Sequence, residues 1–274
     1  MPKMGILKTL FSLLAVPAGA AAAQGLPPGE DSAVAHLNAS PRHGEWVKYD
    51  AGAGDSVQAW VVYPERSDKA SVVVVIHEIF GLTDWIRSVT DQLAAEGFIA
   101  IAPDLLTGKG PGGGGTSSVD RQGAIALIQG LKADEVQRRL RAAAEYAMAL
   151  PAARHATASV GFCWGGSTSF AFATSWPDLK GAAVYYGTPP ADDAMARIHA
   201  PVAGFYGGDD ARVTTTVEPA RQAMQRLGKR YDPHVFEGGG HGFLRDQAGR
   251  NGANLRAARD AWPATVAFLR DVLH

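Results

Sequence analysis

The stretch ATASVGFCWGGSTSFAFATSW (residues 156–176) decides how the chain is read. It runs from a short apolar segment into a run of small residues with helical character, and the single cysteine of the sequence, Cys163, stands at the junction between glycines. A strand that turns at once into a helix strains the backbone at its sharpest point. Small neighbours are needed there, because a β-carbon would collide with adjacent chain. G-x-C-x-G is therefore the G-x-S-x-G nucleophile turn with sulfur in place of oxygen. A lone cysteine forms no disulfide within its own chain, so reactivity competes with simple burial as the reason for its presence.

Working outward, the pattern alternates. SVVVVIH (71–77) is a continuous β-branched run of the kind found in strands buried on both faces of a parallel sheet. DWIRSVTDQLAAEG has helical spacing and ends in glycine, and FIAIAPDL reads as the next strand. A helix is expected from about Ala133 to Leu150. After the cysteine turn come strands in LKGAAVYYG, APVAGFYGGDD and HVFEG, a helix around Val217–Leu227, and a last helix from about Asn254 to Leu273. EWVKYD and SVQAWVVYP, separated by a glycine-rich turn, predict an antiparallel hairpin. The fold class is α/β: a mainly parallel central sheet covered by helices on both faces, with the N-terminal hairpin at its edge.

Residues 1–23 have two lysines, a short apolar core and an Ala-rich end, the layout of a secretory signal peptide cleaved after Ala23. The apolar core is too short to span a bilayer, so no stable membrane insertion is expected after cleavage, and a periplasmic or secreted protein is. No twin arginine precedes it, which favours a general export route. Residues 24–44, rich in proline, glycine and polar side chains, read as a flexible arm, and residues 45–274 as one domain. The formal charge of −1 and pI of about 6.7 leave no basic footprint for nucleic acid. TGKGPGGGGTSS (107–118) lacks the spacing of a phosphate loop and reads as a flexible insertion or lid.

Two further residues complete a reactive set in the chain order of the hydrolases built on such a turn: nucleophile, acid, histidine. FYGGDD ends one strand with Asp209 and Asp210, and FEGGGHGF ends the next with His241. Imidazole can take the thiol proton and return it to a leaving group, while an aspartate orients the ring. Asp210 is the favoured acid, with Asp209 as the alternative. His77-Glu78 has the beginning of a zinc-protease motif, but position 81 is glycine, so no metal site is expected.

HEIFGL, APDLL, GFCWGG, GGDDARV and GGHGF, in this order and spacing, resemble the dienelactone hydrolase family of α/β-hydrolases over roughly residues 45–272. The resemblance implies an α/β-hydrolase fold and a triad of Cys163, Asp210 and His241. It also implies a Glu78 that contacts the thiol and assists its activation, and an oxyanion hole from the backbone N–H groups of Ile79 and Trp164. Arg245 matches one of the two arginines with which the family holds a substrate carboxylate; the other should follow PDLL by two residues, where Thr107-Gly108 stands and only Lys109 is close. Phe80, Trp164, Tyr185 and Tyr186 lie at strand ends near the expected pocket.

The expected activity is hydrolysis of a small-molecule ester or lactone through an acyl-enzyme, with no cofactor. A general carboxylesterase and a non-catalytic small-molecule binding protein on the same scaffold are the alternatives. Nothing in the sequence speaks to oligomeric state.

Overall fold

The computed structural model describes residues 25–274. The expected signal peptide, residues 1–23, lies outside them. Eight strands form one sheet: β1 (Gly44–Asp50), β2 (Ser56–Val62), β3 (Ala70–Ile76), β4 (Ile99–Pro103), β5 (Ala153–Phe162), β6 (Ala182–Tyr185), β7 (Val202–Gly207) and β8 (Tyr231–Phe236). Their order is β1-β2-β4-β3-β5-β6-β7-β8. β2 runs antiparallel to both β1 and β4, and every other pairing is parallel. The helices are α1 (Ala33–Ala39), α2 (Asp84–Ala95), α3 (Arg121–Gln129), α4 (Ala133–Met148), α5 (Trp164–Ser175), α6 (Asp192–Met195), α7 (Ala211–Thr214), α8 (Val217–Arg226) and α9 (Ala253–Val272).

The central strands explain their own composition. Every residue of β3 is buried, and the period of two sends its side chains to opposite layers. Val72, Val74 and Ile76 join a core with α4, α5 and α8, whereas Val73 and Val75 join a second core with α2 and α9. A polar residue on either face would be left without water, which is why residues 72–76 are continuously apolar, and the buried Ser71 before them donates to the Leu273 carbonyl at 3.1 Å. From β3 the chain crosses to β4 on one side and then to β5 on the other. That reversal opens a crevice beyond the C-terminal ends of β3 and β5, where open α/β sheets place ligands. Glu78 follows β3 and Cys163 follows β5.

The arm, expected to be flexible, is ordered in part. Residues 30–32 form a 3-10 turn, and α1 follows and packs beside α2. The anchor is Asp91 of α2, almost fully buried, which receives His36 Nε2 at 2.8 Å, Ser40 Oγ at 2.6 Å and Arg42 Nε at 3.1 Å. Trp85 Nε1 also donates to the Pro28 carbonyl. A buried carboxylate needs this many donors, and only the arm supplies them.

Residues 107–118 contain two 3-10 turns and are tied down rather than loose. Buried Asp104 accepts from the Thr116 N–H at 2.8 Å and from its hydroxyl at 2.7 Å. Among the described residues, no helix is long and apolar enough to cross a membrane.

Candidate active site

Cys163 caps the N-terminus of α5 with φ +56° and ψ −116°, a conformation costly for any residue with a side chain. The neighbouring chain compels it. A β-carbon on Gly161 would lie 1.9 Å from the Gly165 carbonyl oxygen, and one on Gly165 would lie 2.3 Å from the carbonyl oxygens of both Ile76 and His77. Strand β5, helix α5 and the end of β3 therefore touch backbone to backbone. The contact forces the turn and projects the sulfur into the crevice.

His241 Nε2 stands 3.1 Å from Cys163 Sγ, and His241 Nδ1 stands 2.6 Å from Asp210 Oδ2. Because Asp210 can only accept when ionised, Nδ1 carries the proton and Nε2 accepts from the thiol. Asp209 points elsewhere and pairs with Arg250 at 3.0 Å on the surface, so Asp210 is the acid that meets the histidine. The two loops are held together by another close approach: a β-carbon on Gly207 would lie 2.5 Å from the carbonyl oxygens of Gly239 and Gly240. Buried Asn254 on α9 accepts from the Gly240 N–H at 2.8 Å and donates to the Asp246 carbonyl at 2.7 Å, fixing the histidine loop from below.

Burial pushes the Cys163 thiol up to about 11, with the Glu78 charge adding to the effect. The N–H groups of Trp164 and Ile79 and the Arg212 guanidinium act in the opposite direction. The resting sulfur is thus a protonated thiol at neutral pH. The same two N–H groups, which were expected to form the oxyanion hole, both favour negative charge on the sulfur.

Glu78 is 2% exposed, and burial lifts its carboxyl to about 7 against the pull of Arg245. Its Oε2 is 2.9 Å from Arg245 Nε, but the N–H does not point along that line, so the contact is an ion pair rather than a hydrogen bond. No hydrogen bond joins Glu78 to the thiol, in contrast to the contact expected from the family resemblance. His77, wholly buried, donates from Nδ1 to the Glu78 carbonyl at 2.8 Å and accepts from the Leu105 N–H at 3.3 Å. It stacks on Trp164, so it supports both Glu78 and the residue that follows the sulfur. Among the described residues, no three His, Cys, Asp or Glu side chains converge as a metal site.

A cavity of about 350 Å³ opens at the sulfur, lined by Ile79, Trp164, Ser167, Tyr186, Thr188 and Arg212 besides Cys163. Three of the residues expected to bind substrate lie off it. Tyr185 is fully buried, with its hydroxyl 2.6 Å from Thr265 Oγ1 of α9 and its ring against Phe162 and Phe205. As the last residue of β6 it points into the α9 core, and it is corrected to a packing residue. Tyr186 instead takes φ +39°, lines the cavity and lies 5.1 Å from the His241 ring.

Phe80 sits beneath two guanidinium groups, Arg121 at 3.5 Å and Arg245 at 5.5 Å from its ring centre. Arg245 is held between Glu78 and Glu30, whose Oε2 is 2.6 Å from Arg245 Nη1. The other oxygen of Glu30 meets Arg121 at 3.0 Å. Burial opposes the ionised form of Glu30, but the two arginines outweigh it and hold its carboxyl below the ordinary value.

The missing second arginine also has a local cause. Gly108 has φ +79°, where a residue with a side chain would be strained, and Lys109 is taken by Glu135 at 2.6 Å. Sequence reasoning overlooked Arg212, although it lies in the quoted GGDDARV two residues after Asp210. It overlooked Glu30 and Arg121 as well, which no local signal could have joined.

Comparison with known proteins places these features in a wider set. The sequence profile described as the dienelactone hydrolase family matches residues 57–273. A provisionally named carboxymethylenebutenolidase of Salmonella typhimurium is 33% identical over 225 residues, covering 76% of this chain and 80% of the relative. Among solved structures, a provisionally named dienelactone hydrolase from Klebsiella pneumoniae superimposes with a TM-score of 0.74 at 27% identity, covering 84% of this chain and 98% of that one. A dienelactone hydrolase-like promiscuous phosphotriesterase from metagenomic libraries gives 0.71 at 25% identity, covering 85% and 99%.

Proposed function

The chain belongs to the dienelactone hydrolase family of α/β-hydrolases, and from that premise we propose that it is an exported hydrolase of ester or lactone bonds with Cys163 as nucleophile. The observation that carries the reading is the unbroken line from Cys163 Sγ through the His241 ring to Asp210, at 3.1 and 2.6 Å.

The chemistry follows from the protonation states. Sγ attacks the carbonyl carbon as its proton passes to His241 Nε2, and Asp210 stabilises the imidazolium that forms. The oxyanion that develops is met by the N–H groups of Ile79 and Trp164, donors fixed by the backbone before the reaction begins. Collapse breaks the C–O bond, and His241 returns the proton to the departing alkoxide. That alkoxide leaves with an ester or stays tethered with a lactone. A water deprotonated by His241 then attacks the thioester and releases the acid and the thiol.

Glu78 acts by its charge. Ionised, it opposes thiolate formation, so the attack is easiest when Arg245 or a proton neutralises it.

Export is supported by the composition of residues 1–23, and the mature chain would then begin at Gln24. The test of turnover is hydrolysis of dienelactone and a short aryl ester by residues 24–274, beside Cys163→Ala. The variant should lose at least about 1,000-fold in kcat. Equal rates in the two proteins would remove Cys163 as nucleophile. The ratio between the two substrates separates a lactonase from a general carboxylesterase. N-terminal sequencing of the periplasmic fraction checks the route.

A further inference from the structure

Building on the proposed hydrolase, we infer that Arg212 selects substrates carrying a carboxylate near the scissile carbonyl, taking over anion recognition from an Arg245 that the chain's own carboxylates occupy. Three observations meet at this residue.

The first is its place. Arg212, on α7, lines the cavity that opens at Cys163 and is the only charged side chain in that lining. The rest of the wall is the Cys163 thiol, the aliphatic Ile79, the rings of Trp164 and Tyr186, and the hydroxyls of Ser167, Thr188 and Tyr186. A cavity with a single charged side chain orients a ligand through that charge.

The second is its freedom. Among the described residues Arg212 pairs with no carboxylate. Its Nη2 lies 3.5 Å from His241 Nδ1, and that nitrogen already donates its proton to Asp210. The guanidinium therefore keeps its forked set of donors for a planar anion. Two of the three hydroxyls are engaged with each other: Ser167 Oγ and Thr188 Oγ1 are 3.0 Å apart, and the Thr188 N–H donates to Ser167 Oγ at 2.8 Å; the third, on Tyr186, is a buried neutral group without a partner.

The third is the state of Arg245. It does not line the cavity, and it is bound on one side by Glu78 and on the other by Glu30. A substrate carboxylate would have to displace two internal carboxylates to reach it. At Arg212 it meets no competing carboxylate, in the same cavity that Cys163 lines.

The test uses two matched aryl esters, the 4-nitrophenyl monoester of succinic acid and 4-nitrophenyl butanoate, with the wild type, Arg212→Gln, Arg212→Lys and Arg245→Gln. Arg212→Gln should lower the ratio of kcat/KM for the acidic over the neutral ester by about tenfold or more, mainly through KM, since a charge-assisted contact is lost. Arg212→Lys should restore part of that ratio, and Arg245→Gln should leave it unmoved. A ratio unaffected by Arg212→Gln, or lost instead in Arg245→Gln, would overturn the inference.

A second readout does not need turnover. Cys163 is the only cysteine, so its alkylation by iodoacetate and by iodoacetamide can be compared in the same four proteins. Arg212→Gln should depress the iodoacetate rate relative to iodoacetamide, and a shift in thiol acidity alone would move both reagents together. If neither ester is hydrolysed yet the alkylation ratio responds to Arg212→Gln, the proposed hydrolase fails and the anion site stands. If both esters turn over and neither ratio responds, the reverse holds.

Discussion

The two sides of the sulfur are built on opposite principles. On the α5 side, Cys163 is held by backbone against backbone, with glycines at positions 161 and 165 where a single added carbon has no space. On the β3 side, Glu78 is held by charge: it shares Arg245 with Glu30, and Glu30 shares itself with Arg121. Steric contacts of the first kind have one solution. Charges of the second kind can be redistributed among partners, and a proton at Glu78 alters the balance without moving the chain. The sulfur is thereby given a fixed position and the neighbouring carboxylate an adjustable charge.

The contrast is sharpest if the rigid side is broken. Gly165→Ala drives a methyl group into two carbonyl oxygens at the end of β3, neither of which can retreat without parting the sheet. The expected cost exceeds about 3 kcal/mol, with loss of hydrolysis, measured by denaturant unfolding and aryl-ester turnover. A variant with wild-type stability would mean that the turn is looser than these contacts require.

Next comes the link that joins the rigid frame to the chemistry. Asp210→Asn should leave the fold intact and lower kcat by about 1,000-fold or more, because the amide no longer stabilises an imidazolium. Asp209→Asn, which removes only a surface pair with Arg250, should change kcat by less than about twofold. Equal losses in both would reassign the acid.

The smallest effect belongs to the adjustable side. Burial raises Glu78 from its ordinary value of 4.5 to about 7, so the folded chain keeps this proton where the unfolded chain has released it. Folding then takes up a proton between about pH 4.5 and 7, and the stability tied to this group is lost as pH rises through that window. In Glu78→Gln that dependence disappears. The Tm of the variant minus that of the wild type should therefore increase steadily from pH 4.5 to 7. A difference that stays flat would show Glu78 ionised throughout, fully balanced by Arg245.

What the sequence made legible follows the same division. Cys163, Asp210 and His241 stand out because each follows a strand and lies near glycines that backbone contact demands, and such constraints leave local traces. The sheet was readable for a related reason, since burial on both faces leaves no room for polar residues in VVVVI (72–76). Charge partnerships leave no comparable trace. Glu30 meets Arg121 and Arg245 across ninety-one and 215 positions, so the N-terminal segment read as a loose arm although it supplies the counter-charge to the cluster beside Glu78. Tyr185 and Tyr186 are adjacent and chemically identical. Only the break from extended backbone after β6 sends one into the core and the other to the cavity.

The glycine frame around position 163 also bears on how such a protein can change over time. The clashes concern the β-carbons of Gly161 and Gly165, whereas the Cys163 side chain projects freely into the crevice. Exchange of sulfur for oxygen at that one atom leaves every contact of the frame in place. The neighbouring glycines have no tolerated alternative. Mutation can thus explore new reactivity at the centre of the turn while its supports stay invariant, so the position most exposed to selection for chemistry is also among the cheapest to vary in terms of folding.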